Sequence, residues 1–316
     1  METPRVPAPI AALRSAIGKA VVGQEPIVDA LLIALIARGH VLLEGVPGVA
    51  KTLLARTLAH VLDLQFRRVQ FTPDLMPQDL LGTSVFRPEQ GTFELVKGPI
   101  FTELLLADEL NRTPPKTQSA LLEAMEERQV TLDGTRHALG DHFFVMATQN
   151  PLELEGTYPL PEAQTDRFLM KLVLAYPEQA TEIEVLRRHH QGFDGHGLES
   201  LGIPRVLTGA GLDALRATPV TVHDSLLQYV VALCRRTRDH AQLRLGASPR
   251  AAVSLLAAAK ARAILHEQSY VTPDDVKAMA LPVLRHRLVL RPEAEIEGLT
   301  PTSIIERLLG EVEIPR

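Results

Sequence analysis

The stretch VLLEGVPGVAKTLLARTLAHVL, residues 41–62, constrains the fold more than any other part of the chain. A short apolar run, VLLEG, meets a loop with glycines at 45 and 48, and the loop feeds a segment with helical apolar spacing. Strand, glycine-containing loop and helix in that order form the phosphate-binding motif, which belongs in a parallel sheet covered by helices on both faces. Gly45 and Gly48 let successive backbone N–H groups turn inward, and the following helix adds the positive end of its dipole. Lys51 suits the β- and γ-phosphates of a nucleotide, and Thr52 suits Mg2+. The strict pattern, G-x-x-x-x-G-K-[ST], has glycine just before the lysine, where this chain has Ala50. Taken alone, the loop is either a nucleotide site or a tight strand-to-helix turn.

The rest of the first half fits a sheet built around that motif. FRRVQFT reads as a second strand, PIFTELLLADEL contains a third that ends in two acids, HFFVMATQNP a fourth and RFLMKLVLAYP a fifth. Helical segments such as PPKTQSALLEAMEERQ separate several of them, the alternation of a parallel α/β fold. Two segments break it, residues 82–99 and 129–141, each an extended pair of arms around a turn; Asp133-Gly134 marks the second. Ahead of the motif, residues 10–37 are helical with a break at Gly23 and with Pro26 opening the next helix. Beyond Pro177 come the helical EQATEIEVLRRHH and a glycine-rich connector, QGFDGHGLESLGIP, and from Leu207 every segment has helical spacing. The expected organisation is an α/β nucleotide-binding core over 1–178, a connecting helix and linker over 179–205, and a small all-helical domain over 206–316.

Composition narrows the function. A net charge of −5 gives no basic field for a polyanion, so nucleic acid is not expected as a partner. The single cysteine, Cys234, forms no internal disulfide and reads as a packing residue, which suits the reducing cytoplasm. The N-terminal stretch has no apolar core with a cleavage site, and the longest apolar run near it, residues 30–37, is far short of the roughly 20 residues needed to cross a bilayer. No membrane insertion is expected. His189, His190 and His196 lack acids or cysteines at ligand spacing, so no histidine metal site is expected either.

Two further strand ends carry chemistry. Asp108 and Glu109 close the run LLLADEL, so that one carboxylate can join a Mg2+ shell and the next can act as general base toward an attacking water. The alternative is two acids capping a strand. Asn150, at the tip of FFVMA, is placed to bond a γ-phosphate and orient the water, or else forms an ordinary Asn-Pro turn.

The segments GVPGVAKT, ADELNRTPPKTQSALLEAMEERQVTLDG, ATQNP and LPEAQTDRF together resemble the MoxR family of AAA+ ATPases, over almost the entire chain. The resemblance extends to alanine in the phosphate loop. It implies ATP and ADP as ligands with Mg2+, contacts from Gly45, Val46, Pro47, Gly48, Val49, Ala50, Lys51, Thr52 and Leu53, and metal ligation by Thr52 and Asp108. It implies adenine contacts from Val22 and Gly23, with Lys51, Glu109, Asn150 and Arg167 as the catalytic set. Arg167 matches the arginine finger, which reaches a neighbouring subunit's γ-phosphate; the plain alternative is a surface ion pair with Asp166. Arg250 matches the second sensor, acting on its own or an adjacent subunit's nucleotide; the alternative is a solvated first-turn arginine. The two hairpins match inserts that project toward a central pore or a client. The family implies a homo-oligomeric ring, a hexamer, acting as a chaperone in maturation of protein complexes or insertion of cofactors or metals, often with a von Willebrand factor A domain partner. A DNA-directed motor and a nucleotide-gated scaffold with little turnover are the competing readings.

Overall fold

Strands with apolar residues on both faces must be covered on both faces, and the computed structural model has that arrangement. It describes residues 9–89, 91–151, 156–195, 197–199 and 201–314. Gln90 of the first expected hairpin, and His196 and Ser200 of the expected connector, lie outside these.

Helices α1 (Pro9–Ala20) and α2 (Glu25–Ile36) are separated by a turn at Gly23, with Pro26 in the first turn of α2. Then follow β1 (Val41–Gly45), α3 (Lys51–Val61), β2 (Phe66–Gln70), α4 (Pro77–Leu81), the hairpin β3 (Gly82–Arg87) and β4 (Thr92–Lys97), and β5 (Leu104–Asp108). A 3-10 turn over Leu110–Arg112 leads to α5 (Pro115–Glu127), the hairpin β6 (Gln129–Leu132) and β7 (Thr135–Ala138), β8 (Phe144–Gln149), α6 (Glu162–Thr165), β9 (Met170–Leu174) and α7 (Gln179–His190). The remainder comprises α8 (Gly209–Arg216), α9 (Asp224–Arg238), β10 (Leu243–Leu245), α10 (Pro249–Leu265), α11 (Pro273–Leu284), β11 (Val289–Leu290), α12 (Pro292–Ile296) and α13 (Pro301–Glu311).

Among the described residues, five strands form one parallel sheet in the order β2-β5-β8-β1-β9. Alternate residues enter opposite apolar clusters: Val41, Leu43, Leu104, Leu106, Phe144 and Met146 on one face, Leu42, Leu105, Ala107, Val145 and Ala147 on the other. Both expected hairpins form, and the β6–β7 turn runs through Asp133 (φ 50°) and Gly134 (φ 78°), the doubly left-handed two-residue loop that matches strand twist.

The C-terminal helices begin where polar side chains satisfy their first N–H groups: His223 accepts from Ser225, Ser248 from Ala251, and Thr272 from Asp275 in a reciprocal box. To these helices the structure adds a short antiparallel pair, β10–β11. Arg287, 4% exposed, ties this part to the sheet: its Nε lies 2.6 Å from Asp166 Oδ1, and its Nη atoms donate to the carbonyls of Phe168 and Leu169. A buried guanidinium is tolerated because carboxylate and carbonyls replace its water. Cys234 is fully buried, and burial pushes its thiol up to about 11, the inert packing residue expected. No helix among the described residues is long and apolar enough to cross a membrane.

Candidate active site

The phosphate loop leaves the C-terminal end of β1, which lies between β8 and β9. A Cβ at Gly45 would sit 2.7 Å from Leu174 O of β9, so only glycine lets the loop depart there. Gly48 has φ 85°. Ala50, the N-cap of α3, is itself left-handed (φ 57°, ψ 25°), a conformation that costs a residue with a Cβ about 1 kcal/mol. The glycine of the strict motif therefore answers a backbone requirement, and this chain meets it with alanine. Ala50 offers no side-chain cap, which leaves the first N–H groups of α3 directed at the loop. Lys51 Nζ folds back to donate to Gly45 O. Burial lowers its pKa, against the opposing carboxylates of Asp108, Glu109 and Glu44.

Asp108 ends β5, two strands from β1 across β8. Its Oδ1 accepts from Thr148 Oγ1 at 2.6 Å, and its Oδ2 pairs with the Arg68 guanidinium at 2.7 Å. Thr148, 1% exposed, also accepts the backbone N–H of Glu109 at 2.8 Å, so one buried hydroxyl fixes both acids. Glu109 is left-handed (φ 58°, ψ 48°), and its Oε2 accepts from Gln70 Nε2 at 2.6 Å and lies 3.1 Å from Arg112 Nε. Asn150 follows β8 directly and is 8% exposed. Phosphate loop, acid pair and Asn150 thus occupy the C-terminal ends of three adjoining strands, the position where open parallel sheets bind ligands.

A cavity of about 500 Å³ opens beside the loop, within the range of small-ligand sites. Pro47, Gly48, Val49, Ala50 and Leu53 line it from the loop and α3, Val22, Tyr176, Val185, Leu186 and Phe193 add apolar surface, and Gln24, Glu182 and Arg188 add polar groups. Gly23 stands behind this wall: a Cβ there would lie 2.7 Å from Thr181 Cγ2, so glycine lets α7 close on the turn. The oxygen donors Asp108 and Thr52 fit Mg2+, which is commonly held by one or two carboxylates plus substrate phosphates. Among the described residues no group of three or more histidines, cysteines or acids could hold a metal unaided.

Lys51, Thr52, Asp108, Glu109 and Asn150 lie outside the lining of this cavity, as do Arg167 and Arg250. Arg167 does not pair with Asp166 either, since that carboxylate is taken by Arg287 and by Ser248 Oγ at 3.2 Å. Arg167 Nε lies 3.0 Å from Glu126 Oε2, and Arg250 Nη1 lies 2.8 Å from Glu126 Oε1. Both arginines therefore rest on one carboxylate near the C-terminal end of α5. Thr148, Gln70, Arg68, Arg112, Glu126 and the α7 wall were not read from the sequence. The one local signal was in α7, where Ile183, Val185 and Leu186 make an apolar set that stays 49–70% exposed.

Residues 40–170 match the model of the ATPase family associated with various cellular activities, and residues 235–308 match the AAA lid domain. The chain is 47% identical over 300 residues to the uncharacterized protein YeaC of Bacillus subtilis, covering 95% of this chain and 92% of the relative. It is 43% identical to Chaperone MoxR1 of Mycobacterium tuberculosis, over 94% of this chain and 80% of that one. Protein MoxR of Paracoccus denitrificans is 32% identical, over 95% of both chains. A crystal structure of a candidate ATPase from Cytophaga hutchinsonii superposes with a TM-score of 0.89 at 44% identity, covering 98% of this chain and 95% of that one.

Proposed function

The chain belongs to the MoxR family of AAA+ ATPases, and from that premise we propose that it hydrolyses ATP with Mg2+ at the contacts between subunits of a hexameric ring, using turnover to remodel client proteins as a chaperone. The observation that carries this reading is the division of the candidate residues. Loop, acid pair and Asn150 share one end of the sheet, whereas Arg167 lies just before β9, whose Met170 pairs with the first residue of β1. A site built this way needs a neighbour to complete it.

In this reading the loop N–H groups and Lys51 hold the phosphates, and Glu109 takes the proton of the attacking water. Asn150 orients that water, and Arg167 with Arg250 of the neighbour offsets charge developing on the γ-phosphate. Asp108 and Thr52 would hold Mg2+, which supplies charge neutralisation at the β- and γ-oxygens when bound. Glu109 must first leave Gln70 and Arg112, so these donors keep the base idle until nucleotide arrives. The core over 1–178 and the lid over 206–316 close on the nucleotide through the 179–205 connector. The β3–β4 hairpin presents Phe86 and Phe93, 50% and 74% exposed with ring centroids 5.2 Å apart, as a contact for apolar client segments. The name of the mycobacterial relative supports the chaperone role. Complex maturation or cofactor insertion, a von Willebrand factor A domain partner and a cytoplasmic setting complete the proposal.

The base is tested by Glu109→Gln, which keeps the shape and removes the proton acceptor. ATP binding should stay within about twofold while phosphate release slows at least ~100-fold, the usual size of general-base effects. Turnover at the wild-type rate would overturn the assignment.

A further inference from the structure

Resting on the reading that Arg167 and Arg250 serve a neighbour's nucleotide, we propose that Glu126 is the positioning residue that holds these two arginines together as one cationic unit for the triphosphate bound to the next subunit. One carboxylate engages both, Oε2 with Arg167 at 3.0 Å and Oε1 with Arg250 at 2.8 Å. The partners come from separate parts of the fold: Arg167 follows α6, Arg250 lies in the first turn of α10, and Glu126 is the penultimate residue of α5. Two guanidinium groups this close repel, and the carboxylate between them is what keeps both at one place. A guanidinium has five N–H groups; Arg250 donates one to Glu126 and Arg167 forms an ion pair with it through Nε, so the unit retains donors and a net charge of +1 for phosphate oxygens.

The unit faces away from its own phosphate loop. Helix α5 starts beyond the acid pair and rises about 1.5 Å per residue, which places Glu126 about 17 Å from Pro115. Arg167 precedes β9, whose length of about 13 Å separates Met170 from the level of Gly45. The side chains of Arg167, Glu126 and Arg250 are 30%, 36% and 44% exposed, within reach of a neighbouring chain. The end of α5 is pinned as well: His40, buried between α5 and β8, accepts from Val145 N at Nδ1 and donates from Nε2 to Met125 O at 3.1 Å, next to Glu126. Long arginine side chains lose freedom when they meet a phosphate, and a carboxylate that orders both beforehand reduces that loss.

The test uses mixed assemblies, their composition read by native mass spectrometry. In Lys51→Ala mixed with Arg167→Ala, the first variant donates arginines and the second supplies the ATP site, and hydrolysis should recover. Placing Glu126→Gln on the arginine donor should lower that recovery about tenfold, with Glu126→Asp regaining part of it and melting temperatures little changed. The same substitution on the ATP-site subunit should leave the recovery intact. Equal loss from both placements would mark a general structural role and overturn the proposal, as would no loss on the donor. Absence of recovery in the reference mixture would instead remove the reading of action across subunits, and this inference with it.

Discussion

Ala50 links the sequence pattern to the physics of the loop. Glycine is common at this position because the backbone there is left-handed, and the exposed methyl of Ala50 carries a cost of about 1 kcal/mol in the folded loop. The phosphate contacts proposed for this loop come from backbone N–H groups and Lys51, to which the methyl adds nothing and from which it takes nothing. Ala50→Gly is therefore expected to change ATP affinity by less than about tenfold, or 1.4 kcal/mol, in a fluorescent-nucleotide titration; a larger gain would mean that the methyl impairs the loop. Lys51, Thr52, Asp108, Glu109 and Asn150 were legible because each sits at a motif position next to an apolar run. Their supporting partners were not. Gln70 meets Glu109, and Thr148 meets both acids, through the register of β2, β5 and β8, a non-local relation that no single window of sequence contains.

Among the elements, the buried strands were legible as continuous apolar runs and the C-terminal helices by their capping residues. The strands β10 and β11 are three and two residues long, too short for periodicity to register, and they pair across a segment that contains both α10 and α11. Their pairing is a product of tertiary packing. The β3–β4 hairpin was legible as an insert, but the cross-strand pair Phe86–Phe93 depends on register as well. Exposed aromatics on an antiparallel ribbon gain little by staying in water, so an apolar partner is the expected contact. Phe86→Ser combined with Phe93→Ser should leave basal hydrolysis within about twofold, while protein retained by the Glu109→Gln variant in ATP falls several-fold by quantitative mass spectrometry. Unchanged retention would assign client contact elsewhere.

For the whole molecule, the family pattern conveyed an α/β core and a helical lid, and the structure adds how they are joined. Arg287 reads in sequence as one of several basic residues at a helix end, yet it is the buried connector from α11 to Asp166 and the carbonyls before β9. That connection takes Asp166 away from Arg167 and leaves Arg167 and Arg250 on Glu126, at the opposite end of the sheet from the loop they are proposed to serve in the next subunit. The most direct measurement is ATP hydrolysis by equal mixtures of Lys51→Ala and Arg167→Ala proteins, each nearly inactive alone. With random assembly, one ordered neighbour pair in four joins an intact loop to an intact arginine, so recovery to roughly a quarter of the wild-type rate is expected. Activity no greater than the sum of the two variants, in assemblies that contain both, would contradict a site shared between subunits.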